Sequence, residues 1–475
     1  MAIPAKTVVI VGGGFSGALF ALKLHLKCPS WRIVIAEPKK QLGRGVAYGA
    51  CGPGHLLNVP VSRMEIGLKP SFADWLQHRR GSISDALVES GLDLNAAFVP
   101  RRLFGEYVGE RINEVLDSRS LVGLSSVRGE VVRLLNDERG VLLTDGRQIK
   151  TDIVVLAMGN MPPRPPAGPD TWLYDSGFFI PDPWAMDAFS DIDPAEPLLL
   201  IGSGLTTVDI ALRLHQQGHR GPLLAVSRRG LTPQTHTAGG AWPEFLHDKI
   251  PASARALTRI MREQIALAAS RGIAWQRVFD AARPAVPSIW NGWSPFSRRQ
   301  FLRHLRPRWD IHRHRMAPRV SEAFAKLQAS GALEILPARI GAYRPADRCV
   351  AVTLRVRGGG ERVFNAGHVI NCTGPGGDFA KIAVPLIAEL RDRKLAVPDA
   401  LGVGLETRDC AVIDGAGEAS SWLFALGPLT RPAWWEITAV PEINLQIDRL
   451  VAQLSSPVTA PRLTVTDFMD MGGGI

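Results

Sequence analysis

A chain of 475 residues, 46% hydrophobic and 21% charged, is too long for one ordinary core and has the composition of two or three globular domains rather than of a disordered chain. Its apolar stretches are broken by glycine or polar residues before bilayer length, and its first strand begins too early to leave room for a cleavable presequence. A cytoplasmic protein without a membrane span is therefore expected. The five cysteines are scattered, with no CxxC spacing, which excludes a redox-active disulfide and a cysteine zinc site and leaves no metal site to predict. The net charge of +10 would suit nucleic acid or two anionic dinucleotides equally.

The chain opens with Lys6 to Leu24, KTVVIVGGGFSGALFALKL. The apolar run Val8 to Val11 reads as a buried strand, Gly12 to Gly17 as a turn, and the following small-residue segment as a helix. Gly12 permits the tight turn, Gly14 lets the backbone approach a pyrophosphate, and Gly17 lets helix and strand pack closely. A second strand, Trp31 to Ala36, ends in Glu37, where such a unit places the carboxylate that binds ribose hydroxyls. Glycine-rich and aromatic loops follow, Gln41 to Gly49 and His55 to Pro60. Arg44 could face a phosphate and Asn58 could hydrogen-bond a ring or a ribose, or both could belong to an ordinary surface loop. A helix is predicted from Pro100 to about Leu116, then strand segments at Ser125 to Leu135 and Val141 to Leu143, with a hairpin signal at Asp145-Gly146. The strand Ile153 to Ala157 ends in Met158-Gly159-Asn160 and a proline-rich run, so the first domain is expected to span 1–166.

The opening pattern then returns. Pro197 to Ile201 leads into Gly202-Ser203-Gly204-Leu205-Thr206-Thr207 and a helix, and a second strand, Leu223 to Val226, ends at Ser227-Arg228-Arg229. Thr207 replaces the third glycine. Where the first unit has Glu37, this one has Arg228 and Arg229, which welcome a ribose 2′-phosphate and favour NADPH over NADH. This second unit is assigned to 190–340. Residues 242–327 read as a helical insert rich in arginine and tryptophan, with Trp290, Trp293 and the basic run Arg298 to Arg315. That run could bind nucleic acid, hold an anionic substrate or pair with acids. A single basic segment inside a protein with two nucleotide units argues against nucleic acid. His312 and His314 lack a nearby ligand set for a metal. The chain is then expected to return to the first domain over 341–475. Strands within Gly331 to Ile370 lead to Asn371-Cys372-Thr373-Gly374, a further strand spans Trp422 to Leu426, and a helix starts at Thr438-Ala439-Val440-Pro441-Glu442-Ile443. Only the glycine-rich end, Met471 to Ile475, looks disordered.

Together these motifs resemble the two-dinucleotide-binding-domain flavoproteins, with an FAD domain interrupted by an NADPH domain. The segments Gly43 to Tyr48, His55 to Val59, Arg313 to Met316 and Thr438 to Ile443 are similar to the bacterial FAD/NAD(P)-binding protein family, near the flavin-containing and N-hydroxylating monooxygenases. The resemblance implies an α/β fold of two Rossmann-like domains with a helical insert. It also implies FAD on Gly12, Gly14, Gly17 and Glu37, with Thr373, Gly374, Gly427 and Thr438 near the flavin, and NADPH on Gly202, Gly204, Thr206 and Arg228. The implied activity is oxygenation of a nitrogen or sulfur of a small, anionic substrate through a C4a oxygen adduct of the flavin. The stretch Asp175 to Trp184 lacks the histidine of the Baeyer–Villiger signature, which argues against that chemistry. A flavin reductase or dehydrogenase without oxygen transfer, and a non-catalytic flavin-binding sensor, are the alternatives.

Overall fold

The computed structural model describes residues 5–52, 54–117, 123–135, 139–166, 170–246 and 250–456; the tail Met471 to Ile475 lies outside them. Among the described residues, seventeen strands form two seven-stranded sheets and one three-stranded sheet. The first sheet begins with β1 (Thr7–Val11), β2 (Arg32–Glu37) and β3 (Leu124–Arg128). β4 (Val131–Leu134), β5 (Gly140–Leu143) and β6 (Gln148–Lys150) make the small antiparallel sheet, with Asp145-Gly146 turning β5 into β6. The chain then re-enters the first sheet as β7 (Ile153–Leu156). The second sheet takes β8 (Phe179–Ile180), β9 (Leu198–Ile201), β10 (Leu223–Ser227), β11 (Leu333–Ala346), β12 (Cys349–Val356), β13 (Glu361–Ala366) and β14 (His368–Asn371). Finally β15 (Thr407–Arg408), β16 (Ala411–Ile413) and β17 (Ala419–Ala425) complete the first sheet, in the order β15-β16-β17-β7-β1-β2-β3.

The apolar runs dictate this centre. β1, β7 and β9 are buried on both faces apart from Thr7, as parallel strands covered by helices must be. β1 lies between β2 and β7, with Val9 opposite both Val34 and Val154. β9 is flanked in the same way by β10 and β14, with Leu199 opposite Leu224 and Val369. The helix Phe15–Lys27 packs its buried face against the C-terminal helix Val440–Ser455.

The topology corrects one expectation. The strands from Leu333 to Asn371 were expected to lie partly in the first domain after residue 340, but β11 to β14 hydrogen-bond into the second sheet, β14 directly beside β9. The return to the first sheet therefore follows Asn371. A single sequence shows that these segments are strands and does not show which open edge they join. The two connecting segments run together: Met161 bridges to Gly376, and the Asn371 Nδ2 donates to the Arg164 carbonyl at 2.9 Å.

The helical segment spans helices Ala254–Ser270, Trp275–Ala282, Val286–Gly292, Pro295–Gln300 and Arg306–Arg313. Between the last two, Phe301–Leu305 is a π-helical turn. Pro307 explains it: without an N–H, proline cannot bond the Arg303 carbonyl four residues back, and that carbonyl accepts from Arg229 Nη2 at 3.3 Å instead. Trp290 and Trp293 are buried in the insert's own core; Trp290 stacks on Trp435 and donates to the Pro432 carbonyl at 2.8 Å. No described helix is long and apolar enough to cross a membrane.

Candidate active site

Each seven-stranded sheet presents one glycine turn of this kind, after β1 and after β9, and the two are built alike. Gly12 and Gly202 have positive φ (103° and 126°) and donate to the carbonyls of Ala36 and Val226 at 2.9 and 2.8 Å. A Cβ on Gly12 would lie 2.5 Å from the Ala157 carbonyl oxygen, and one on Gly202 2.4 Å from that of Cys372. Neither tolerates a side chain. The helices that follow, Phe15–Lys27 and Leu205–Gln216, begin at Gly14 and Gly204 with no side-chain cap and no acid in the first turn. Their first N–H groups are left for an external anion.

The turns differ where a nucleotide is identified. At the end of β2 the Glu37 carboxylate accepts from Gly13 N–H at 2.7 Å and from Lys39 N–H at 3.0 Å, which pins it beside the turn. Strand register puts Ser227, rather than an arginine, at the corresponding place in β10. Its hydroxyl accepts from Ser203 Oγ at 2.8 Å and Gly230 N–H at 3.0 Å. Arg228 follows one residue later and is exposed, while Arg229 is turned toward the insert. Of the pair, Arg228 is therefore the exposed one, and Arg229 is the one engaged by the insert. We predict that Arg228→Ala raises the KM for NADPH roughly tenfold or more, as loss of a charge-assisted hydrogen bond should, and leaves KM for NADH and flavin content unchanged. Equal use of both nicotinamides before and after the change would remove Arg228 from the site.

Above the first turn, Gly43 N–H donates to the Gly13 carbonyl at 2.8 Å and carries Arg44 and the short helix Gly45–Gly49 over it. This loop rests on the helix Arg101–Leu116, where a Cβ on Gly105 would strike Tyr48 and Arg44. Gly427 lies against Ser16 of the first helix, and its N–H donates to buried Gln446 at 2.8 Å. Thr373 and Gly374 require a correction. They follow β14, which ends beside Gly202, so they stand at the second turn and not at the first.

A cavity of about 610 Å³ is lined by the Val46–Tyr48 loop, by Leu205 and Thr206 after the second turn, and by residues of the helical segment. Asn58, Thr206 and Thr438 all line it, as do Trp184 and the arginines Arg101, Arg277, Arg283, Arg313 and Arg315. Of the basic run Arg298 to Arg315, therefore, only its end reaches the cavity. Charged contacts made by three arginines join separate parts of the chain here. Arg101 makes a bidentate pair with Asp209 at 2.8 and 3.3 Å, linking the first sheet's long helix to the helix after the second turn. Arg283 grips Glu442, in the first turn of the C-terminal helix, through two nitrogens. Arg313 pairs with Glu436 at 2.6 Å, and that carboxylate also accepts from Trp309 Nε1 at 2.7 Å. Burial alone would raise Glu436; Arg313 first, then His314 and the Trp309 N–H, outweigh it and hold the carboxyl at about 2. His236, also on the wall, is driven the other way: burial and then Arg315 and Arg277 push it down to about 3, so its imidazole is neutral. Sequence reasoning singled out none of His236, Asp209 and Glu436, and named Glu442 only as part of the Thr438 to Ile443 segment. The one available signal was that an acid such as Asp209, on the buried face of a helix, requires a partner.

Two Rossmann-like sheets, one interrupting the other and each with an uncapped glycine turn, have the architecture of a protein with two dinucleotide-binding domains. Residues 9–161 match the model of the FAD-NAD(P)-binding family. No curated protein matches the sequence. Among solved structures the chain is similar to the ornithine N-hydroxylase of Kutzneria sp. 744, with 16% identity, a TM-score of 0.62 and coverage of 95% of this chain and 99% of that one. It is similar also to the L-lysine 6-monooxygenase of Pseudomonas syringae, with 17% identity, a TM-score of 0.63 and coverage of 94% and 99%. The bacillithiol disulfide reductase of Bacillus cereus shares the fold more distantly, with 13% identity, a TM-score of 0.50 and coverage of 95% and 99%. At these identities the likeness is one of fold.

Proposed function

We propose that the chain is an FAD-dependent, NADPH-using oxidoreductase, and specifically a monooxygenase acting on a nitrogen of a small, anionic molecule. The observation that carries this reading is the shared cleft: residues of both nucleotide units and of the helical insert line one cavity. A hydride donor, a flavin and a small third molecule can meet there. The glycine turns fit the two dinucleotides, because Gly12 and Gly202 pack without a side chain against the Ala157 and Cys372 carbonyls and no described residue lies within 4 Å of a Cβ on Gly204. Gly12, Gly14, Gly17 and Glu37 would hold FAD, with Arg44, Asn58, Gly427 and Thr438 along its length. Gly202, Gly204, Thr206 and Arg228 would hold NADPH, with Thr373 and Gly374 beside them.

When bound, the flavin supplies hydride acceptance and oxygen activation. The chain supplies position and dryness. Arg101 and Asp209 tie the two units together beside the cleft, and Arg283 and Arg313 fasten the insert to the segment that carries Thr438. The structural neighbours titled as ornithine N-hydroxylase and lysine 6-monooxygenase support nitrogen as the atom oxygenated.

The test is to load the chain with FAD, reduce it with NADPH without oxygen, and admit oxygen in the presence of small amines that carry a carboxylate. The expected result is a product heavier by one oxygen atom, formed with NADPH consumption and labelled by isotopic O₂. Reduction followed by quantitative hydrogen peroxide with every amine would favour the reductase instead. Failure of both NADPH and NADH to reduce the flavin would reject both readings.

A further inference from the structure

We propose that a groove on the helical insert docks an acidic amphipathic helix of a partner protein. This site goes beyond the reading of the cleft, with which it shares no lining residue. The groove encloses about 780 Å³ between the helix Ala254–Ser270 and the stretch from Pro295 to Leu305. Its floor is apolar because its hydroxyls are already engaged: Ser253 Oγ accepts from Ala256 N–H at 3.2 Å, and Thr258 Oγ1 donates to the Ala254 carbonyl at 2.8 Å. An occupant meets Ala254, Leu305 and the Phe296 ring, which is 67% exposed. A bare aromatic ring at a concavity has the character of an anchor site, unlike a lone apolar residue on a flat surface. One wall is basic. Arg255, Arg259 and Arg262 stand at i, i+4 and i+7, on one face of their helix. Against them stands one acid of the lining, Glu263, 3.9 Å from Arg259, and among the described residues Arg255 and Arg262 pair with no carboxylate.

Free positive charge beside an apolar floor selects the occupant. Arg255 and Arg262 are about 10 Å apart along the helix axis, so a small anion reaches one of them and only a longer segment reaches all three. A helix has the same pitch as this wall. Acids spaced i, i+4 and i+7 on it stay opposite the arginines while its apolar residues enter the floor, which is the helix-in-groove mode of recognition. A flat anionic bilayer would meet a concave site only at its rim, and a nucleic acid brings charge with little aliphatic surface for the floor. The basic run strengthens the same field. Arg299 and Arg303, each adjacent in sequence to a lining residue, are exposed, whereas Arg298, Arg306, Arg313 and Arg315 are engaged by partners within the chain. The groove thus gives a use to the part of the run that does not reach the cleft.

The experiment is fluorescence anisotropy of a labelled amphipathic peptide, with leucines along one helical face and glutamates beside them, titrated with the full chain in the presence of FAD. Wild type is expected to bind it with a Kd that rises with salt. It is expected to bind neither the lysine counterpart nor a scrambled peptide that keeps the glutamates and disperses the leucines. The double variant Arg259→Glu/Arg262→Glu is expected to weaken binding roughly tenfold or more, Phe296→Ser to weaken it severalfold, and Glu263→Gln to tighten it. Arg344→Glu, at an exposed arginine of β11, is the charge control and should change nothing. All the substituted residues are exposed, so thermal midpoints and flavin content are expected to stay at wild-type values. The proposal is overturned if wild type does not bind the peptide, if the scrambled peptide binds as tightly, or if Arg344→Glu weakens binding as much as the double variant. It is overturned also if Phe296→Ser or the double variant leaves binding unchanged, or if Glu263→Gln weakens it. Vesicles of phosphatidylserine and phosphatidylcholine, or a single-stranded oligonucleotide, overturn it if they displace the peptide and bind more tightly with the same dependence on Arg259, Arg262 and Phe296. The groove would then serve a lipid surface or a nucleic acid.

Discussion

Replacing Glu436 with alanine is expected to destabilise the protein by about 3–5 kcal/mol, the cost of leaving a buried charge without its partner. Glu436 is 5% exposed and holds Arg313 and Trp309 together. It precedes Thr438, while Arg313 belongs to the insert, so the pair joins two distant stretches of chain. Glu436→Gln keeps an acceptor for Trp309 and should lose less. Urea midpoints of the three proteins measure this, and an unchanged midpoint for the alanine variant would show that the insert is fastened by other contacts. The pH dependence follows from the same groups. The folded Glu436 carboxyl lies at about 2 against an ordinary 4.5, so its stabilising contribution is complete above 4.5 and is lost as pH falls toward 2. His236 lies at about 3 against 6.5; the unfolded chain takes up that proton first, and stability falls from 6.5 downward. Acid unfolding should therefore begin near 6.5, and Glu436→Gln should flatten only the portion below 4.5.

The second large effect is expected at the first turn. A Cβ on Gly17 would lie 1.9 Å from the Gly12 carbonyl oxygen, a distance that no rotamer relieves. Gly17→Ala must push the helix off the strand, an overpacking cost of about 1–3 kcal/mol. If that strain falls on the flavin-bound form, FAD affinity drops roughly 10- to 100-fold. Gly204→Ala is its counterpart: no described residue lies within 4 Å of the added methyl. That variant should fold and hold FAD normally and lose affinity for NADPH alone. Flavin content after gel filtration, together with the KM for NADPH, reads both. Retention of FAD by Gly17→Ala, or its loss from Gly204→Ala, would reverse the assignment of the two turns.

These two turns were legible in the sequence because each is local. Strand, glycines and helix follow one another within a few residues, and Glu37 is reached one strand later. The cleft wall was not, because it is assembled from distant pieces. Arg101 meets Asp209, and Arg283 meets Glu442, through pairings that only the folded chain brings together. Thr373 and Gly374 show the same limit at the level of topology. Their strand was visible, but its neighbour β9 was not, and with a different neighbour they would have lain at the other turn. Trp290 and Trp293 sit among arginines in sequence yet are buried in a core, with Arg298 over the Trp290 ring. Composition alone could not separate that use of arginine from the one at Arg315.

The order of strands in the first sheet bears on how the protein is made. β7 leaves the ribosome with one edge paired to β1 and the other open, because its second neighbour, β17, is synthesised only after the entire second sheet and the helical insert. An open edge of apolar residues such as Val154 and Val155 is a template for wrong pairing with other chains. The interrupting unit can complete its own sheet while the host unit waits. A nascent chain stopped before Ala419 should therefore aggregate or recruit a chaperone, even though every glycine of the first turn is already in place.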